Sequence, residues 1–257
     1  MTHILVTNDD GINAPGLIAL VHALRVLGKV TVCVPERNWS AGGHVKTLHK
    51  PLRAWGSALA DGTPVIVSNG APSDCVALAM LGLVPGPVDL VVSGINAGAN
   101  LGYDLTYSGT VTAAMEAVIS GVPGISISLC VPDPEKECEY STAAEFAGRA
   151  AGCILQNQLP KGILLNINVP CLPGGKIRGV RITKQGLRVY RDELVTRTDP
   201  RGKPYYWIGG GPPSGLLEEG TDFWAVSEGY ISVTPVQLDL TAYSAMEPLR
   251  TWNWSGG

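Results

Sequence analysis

Ile4-Leu5-Val6-Thr7-Asn8-Asp9-Asp10-Gly11 sets an apolar run of strand composition directly against two adjacent carboxylates. Consecutive apolar residues in a short run are the pattern of a strand buried on both faces, as in the interior of a parallel sheet. Asn8 and Gly11 are residue types that end such a strand in a turn. Neighbouring strand residues point to opposite faces, so Asp9 and Asp10 converge only once the strand has ended. Two convergent carboxylates repel each other, and a hard divalent cation would offset that repulsion. The plainer alternative is that one Asp caps the helix beginning near Ala14 while the other is solvated.

Outward from this stretch, residues 30–34, 65–68, 90–93, 125–128 and 163–168 repeat the short β-branched apolar pattern. Between them, residues 16–27, 73–83, 109–120 and 141–156 carry apolar side chains at helical spacing, with Leu17, Leu20, Val21 and Leu24 as a continuous stripe. The alternation predicts right-handed crossovers and one α/β domain over 1–257, a three-layer α/β/α sandwich on a mostly parallel Rossmann-like sheet. From about Gly186 the pattern changes. Residues 189–206 mix charge, Thr and Tyr with strand-like alternation, and Gly209-Gly210-Gly211-Pro212-Pro213 breaks the chain before Thr221. This predicts a protruding C-terminal β-hairpin arm at about 186–220 that pairs with a partner chain. The segment 221–257 is expected to serve oligomerisation, although a final strand at 229–235 returns to the core pattern.

The chain has 257 residues, 45% of them hydrophobic and 16% charged, with a formal net charge of −3. That balance offers no electrostatic footprint for duplex nucleic acid or an anionic membrane surface. No run is long enough to span a bilayer, and the start lacks a basic signal-peptide region, so a cytoplasmic location is expected. The cysteines at 33, 75, 130, 138, 153 and 171 form no Cys-x-x-Cys pair and read as reduced, mostly core-filling thiols.

In open parallel sheets ligands sit beyond the carboxyl ends of the strands, so the residues following each strand are the candidates. They include Asn8 to Gly11, the loop 35–44 with Ser40 and His44, the loop 69–74, and Asn96-Ala97-Gly98-Ala99-Asn100. Ser108-Gly109-Thr110 begins a helix whose N–H groups and hydroxyls offer an anion site suited to phosphate, or an ordinary N-cap. There is no Walker A pattern, no Gly-x-Gly-x-x-Gly after the first strand and no Gly-x-Ser-x-Gly, which argues against a P-loop ATPase, a dinucleotide dehydrogenase and a serine hydrolase. His22 reads as structural, and Glu116 reads as structural in preference to catalytic.

Taken in order, the blocks Asn8-Asp9-Asp10-Gly11, Ser40 with its glycines, Gly70-Ala71-Pro72-Ser73-Asp74-Cys75-Val76, Ser93-Gly94-Ile95-Asn96-Ala97-Gly98-Ala99-Asn100, Tyr107-Ser108-Gly109-Thr110 running on to Glu116, and Gly229-Tyr230-Ile231-Ser232-Val233-Thr234-Pro235 resemble those of the SurE family of 5'-nucleotidases. Ser73 departs from the small residue expected there. The resemblance implies metal-dependent hydrolysis of nucleoside 5'-monophosphates, with 3'-monophosphates as further candidates. It implies one Mg²⁺ or Mn²⁺ per subunit on Asp9, Asp10, Ser40 and Asn96, with Asp9 and Asp10 catalytic. Asn96, Ser108, Gly109 and Thr110 then correspond to phosphate-binding positions, and the arm to a homodimer or homotetramer contact. Base preference is expected to depend on loops such as 132–138 and on the arm. A non-catalytic metal-dependent nucleotide-binding module is the alternative function, and an aspartyl-phosphate on Asp9 is the alternative mechanism.

Overall fold

The computed structural model describes residues 1–131, 138–189, 192–210 and 214–254. Every residue of β1 (His3–Thr7) is buried, and its side chains divide between two cores. Ile4 and Val6 join the apolar layer under α1 (Pro15–Leu24) and α4 (Ser141–Asn157). Leu5 joins Cys33, Val91, Ala113 and Ala117 under α2 (Pro72–Leu78) and α3 (Gly109–Ile119). One strand feeding both layers is what its uninterrupted apolar run requires, and the three-layer sandwich follows.

The predicted strands assemble as β2 (Lys29–Pro35), β4 (Pro64–Ser68), β5 (Leu90–Ala97), β6 (Gly124–Cys130) and β7 (Ile163–Pro170) around β1. With β3 (Ala54–Ala58), β8 (Val180–Ile182) and β13 (Ile231–Gln237) they form a nine-stranded sheet in the order β3-β4-β2-β1-β5-β6-β7-β13-β8. The interior from β4 to β7 is parallel, whereas β3 pairs antiparallel with β4 and β13 antiparallel with β7. The strand β3 escapes sequence reading because Ala54-Trp55-Gly56-Ser57-Ala58 is exposed throughout and owes its conformation to the edge of β4.

The arm is a ribbon of two short ladders. β9 (Arg188–Val189) pairs with β12 (Ser214–Gly215), and β10 (Asp192–Thr198) pairs with β11 (Pro204–Gly210) from Thr198 opposite Pro204 to Asp192 opposite Gly210. The Gly211–Pro213 part of the expected break and residues 132–137 lie outside the described residues. Of the segment after 220, α5 (Asp222–Ser227) and β13 contribute Ala225, Ile231 and Val233 to the buried core, while α6 (Tyr243–Arg250) buries none of its residues.

The cysteines need one correction. Cys33, Cys75 and Cys130 are buried free thiols as expected, but Cys153 is exposed and Cys138 and Cys171 form a disulfide with Cα atoms 5.7 Å apart. The bond joins the return of the loop after β6 to the residue that follows β7. These strands are neighbours in the sheet, and the Cys171 N–H donates to Cys130. Thirty-three residues of separation conceal that adjacency in the sequence. Among the described residues no helix is long and apolar enough to cross a membrane.

Candidate active site

The end of β1 is shaped by Asn8, a fully buried side chain that donates to the Gly11 carbonyl at 2.9 Å and accepts the Gly11 N–H at 3.2 Å. Gly11 adopts φ +87°, a conformation natural to glycine, and the turn carries Asp9 and Asp10 off the strand. The helix α1 is capped at Ala14, so neither carboxylate serves as its N-cap.

Asp9 is buried, 3% exposed, and accepts the Thr110 hydroxyl at 2.5 Å as well as a backbone N–H of Thr110. Close approach of α3 depends on Gly109, where a Cβ would stand 2.8 Å from the Asp9 Cβ and 3.0 Å from its Oδ2. Burial raises the Asp9 pKa against the opposing pull of the Thr110 hydrogen bonds. Asp10 is half-buried and accepts from Asn38 Nδ2 at 3.3 Å and from the Ala97 N–H. Its pKa is pushed up to about 6, first by burial and then by the charge of Asp9. The field of Asp10 reaches Tyr140, whose phenol is raised by burial and then by that carboxylate. A bare pair of carboxylates is thus held where ionising both is unfavourable, the setting that a divalent cation relieves.

The loop after β2 is sewn to the same place. Trp39 N–H donates to the Asp9 carbonyl at 2.8 Å, and Ser40 N–H donates to Asn38 Oδ1 at 2.7 Å, which leaves exposed Ser40 beside the residue that holds Asp10. Gly43 N–H donates to the Tyr107 carbonyl at 2.9 Å, and Thr112 Oγ1 donates back to Gly43 at 3.1 Å. Glu116, 4% exposed, holds His44 at 3.0 Å and Lys46 at 3.2 Å, so both it and His44 anchor the loop. Asp74 accepts both the N–H and hydroxyl of Thr47, and Ser73 donates to the Val45 carbonyl, giving the departure at 73 a structural use. His3 bonds Pro87 and Thr31, and His22 bonds Asp61, the latter structural as expected.

Asn96 and Asn100 part company. At the irregularity between β5 and β6, Asn96 Nδ2 donates to the Gly98 carbonyl at 2.9 Å, turning its Oδ1 into the end suited to a cation, next to the Ala97 N–H on Asp10. Asn100 instead enters a buried network with Ser128, Asn166 and Asn168. The polar pair Asn166-Ile167-Asn168 inside an otherwise apolar strand is the signal that foretells it. Ser108 caps α3 by accepting the Val111 N–H at 3.1 Å, which leaves its hydroxyl hydrogen able to donate.

Asp9, Asp10, the loop of Ser40, the Asn96 turn and residues 108–110 therefore meet at one rim. Sequence reasoning missed Asn38 and the bond of Thr110 to Asp9. Among the described residues no three His, Cys, Asp or Glu gather into a metal cluster. A cation at this rim would have two carboxylates with Ser and Asn oxygens to draw on, a donor set that suits a hard ion.

A family model described as Survival protein SurE matches residues 4–192. The chain is 52% identical over 252 residues to a 5'-nucleotidase SurE of Chloroflexus aggregans, spanning 98% of this chain and 99% of the relative. It is 49% identical over 253 residues to a 5'-nucleotidase SurE of Herpetosiphon aurantiacus, again spanning 98% and 99%. The crystal structure of the SurE protein from Aquifex aeolicus superposes with a TM-score of 0.81 at 38% identity, over 96% of this chain and 98% of that one.

Proposed function

The chain belongs to the SurE family, and from that premise we propose that it hydrolyses nucleoside 5'-monophosphates, and by extension 3'-monophosphates, to nucleoside and inorganic phosphate. Relatives named 5'-nucleotidase SurE match it at about half identity over nearly all of both chains. The observation that supports the reading is the clamp of Thr110 on Asp9, which fixes that carboxylate against the start of α3, a helix terminus suited to a phosphoryl group.

Asp9, Asp10, Ser40 and Asn96 would hold one Mg²⁺ or Mn²⁺ per subunit. When bound, that ion supplies Lewis acidity to the phosphoryl oxygens and lowers the pKa of a coordinated water. The Ser108 hydroxyl and the Gly109 N–H hold phosphoryl oxygens with Asn96 beside them, while Thr110 acts on the phosphate site by keeping Asp9 in place. Asp10, half-buried and more open than Asp9, is the carboxylate suited to orient the attacking water and take its proton. Asp9, buried and occupied by Thr110, is poorly placed to be the nucleophile of an aspartyl-phosphate. A single turnover on substrate with labelled phosphate, quenched in acid, separates the two, because label left on the protein and released by hydroxylamine overturns direct attack by water.

The function is tested by phosphate release from a panel of nucleoside 5'- and 3'-monophosphates, with and without Mg²⁺ or Mn²⁺. Binding of AMP or GMP without release under any metal would establish the non-catalytic nucleotide-binding module instead. The reading also places the protein in the cytoplasm, where a disulfide is an exception to the usual redox rule, and assembles it as a homodimer or homotetramer through the ribbon of β10 and β11.

A further inference from the structure

Asp222, the first residue of α5, is fully buried, yet its carboxylate gathers backbone donors from three parts of the chain. One oxygen accepts the Gly102 N–H at 2.8 Å, and the other accepts those of Gly186 and Phe223, each at 2.8 Å. Gly102 opens the 3₁₀ turn Gly102–Thr106, Gly186 lies at the root of the ribbon two residues before β9, and Phe223 is in α5 itself. The backbones meet without spare room. A Cβ on Gly102 would stand 2.6 Å from the Gly186 carbonyl, and one on Gly186 would stand 2.7 Å from the Phe223 ring.

Two more contacts repeat the link. Gln185 Nε2 donates to the Gly102 carbonyl at 3.2 Å, and Arg188 at the start of β9 pairs with Asp104 of the same turn, with only 15% and 19% of the two side chains exposed. The turn passes the constraint onward, because the Asp104 carbonyl accepts the N–H groups of both Tyr107 at 3.0 Å and Ser108 at 3.1 Å. Ser108 then caps α3. A carboxylate buried to this degree persists only where its acceptors are met, and here the donors it satisfies are the ribbon root and the approach to the phosphate site.

We propose that Asp222 is a positioning residue for the phosphate site: one carboxylate fixes the 102–106 turn, and through it Ser108, against the root of the ribbon. This rests on the phosphate reading of residues 108–110 given above. Asp222 touches no substrate and acts through Gly102 and Asp104. Its consequence is that the seating of the ribbon and the affinity for a phosphoryl group are set at one joint.

The test uses the full chain with Asp222→Asn and Asp222→Ala, reading KM and kcat for a nucleoside 5'-monophosphate and the Kd of inorganic phosphate by calorimetry. KM and the phosphate Kd are expected to rise together, by about tenfold for Ala and about threefold for Asn, with kcat within about twofold of the parent. A role confined to stability would lower the folded fraction and leave both constants at parent values, and that result overturns the proposal. If neither variant folds, Asp104→Asn and Arg188→Gln carry the test. Each must weaken phosphate binding, with the double variant no worse than the worse single one, and unchanged binding in both overturns the joint. Parent protein that binds phosphate but hydrolyses nothing defeats the functional reading alone. Parent protein that hydrolyses while its Asp222 variants keep KM and Kd defeats the joint alone, and parent protein that neither binds phosphate nor hydrolyses defeats both.

Discussion

In β1, Ile4, Leu5 and Val6 expose none of their surface, whereas in β11 Tyr206, Trp207 and Ile208 expose 59%, 64% and 85% of theirs. The two strands are similar in apolar character and opposite in setting. The first is enclosed by helices of its own chain on both faces, so it can end in a rigid turn that holds two carboxylates against each other. Among the described residues the second pairs only with β10, and its aromatic side chains join none of the buried clusters. An exposed aromatic strand of that kind is what a second copy would cover in the proposed homo-oligomer. On the proposed reading chemistry belongs to the end of the enclosed strand and assembly to the open one, and substitutions in each can break the contrast.

The largest effect is expected at the turn after β1. Asp9→Asn removes a negative charge from the phosphoryl site while preserving size and the hydrogen bond from Thr110. Turnover should fall by about a thousandfold, the scale of losing one electrostatic stabiliser, with the circular dichroism spectrum intact. Near-normal activity in folded Asp9→Asn protein would remove chemistry from this end of the comparison. Next in size is Leu5→Ala in the middle of the same strand, a cavity among Cys33, Val91 and Ala113 that should cost about 2–5 kcal/mol in urea denaturation.

The enclosed part of the molecule is also the part legible in the sequence. Burial on both faces forces consecutive apolar residues, so 4–7, 90–93 and 125–128 announce themselves, and the polar residues that follow them announce the rim. Asp9, Asp10 and residues 108–110 stand out as candidates because they sit where strand or helix patterns begin and end. What was hidden depends on neighbours in space. The residues Ala54 to Ala58 become a strand through β4, Cys138 meets Cys171 through the adjacency of β6 and β7, and Asp222 acquires its role from Gly102 and Gly186. Thr110 was read as a phosphate contact by its place at a helix start, and only the packing of α3 on Asp9 reveals its bond to that carboxylate.

The disulfide offers a third, smaller perturbation within the enclosed half. Closing 33 residues limits the unfolded chain, with an entropic ceiling of about 3–4 kcal/mol. Reduction by a dithiol, or Cys171→Ser, should lower the denaturation midpoint toward that ceiling and leave the ribbon unaffected. Identical midpoints with and without reductant would mean the bond does not form in solution.

The pH dependence is expected to be smaller again. Asp10 has its pKa raised from 3.8 to about 6 by burial and by Asp9, so the fold favours its protonated form. Its stabilising contribution is complete below the unfolded value and is lost as pH rises through about 6, so metal-free protein should weaken across that window. A cation held by this pair would reverse the trend, and Mg²⁺ or Mn²⁺ should raise Tm by a few degrees more at about pH 7 than at about pH 5. An equal shift at both would separate metal binding from this pair.

The smallest effect on the fold belongs to the open strand. Ile208, 85% exposed, touches no core of its own chain, so Ile208→Lys should change single-chain stability by less than about 0.5 kcal/mol. The same substitution places a charge in the exposed aromatic stretch of β11, where desolvation would oppose contact with a second copy. Sedimentation at rising protein concentration should show the parent associating and the variant remaining smaller, while denaturation of dilute samples gives the same midpoint for both. Loss of stability in dilute Ile208→Lys, with no change in mass, would mean that β11 is held by its own chain after all, and the distinction between the two strands would fail at its open end.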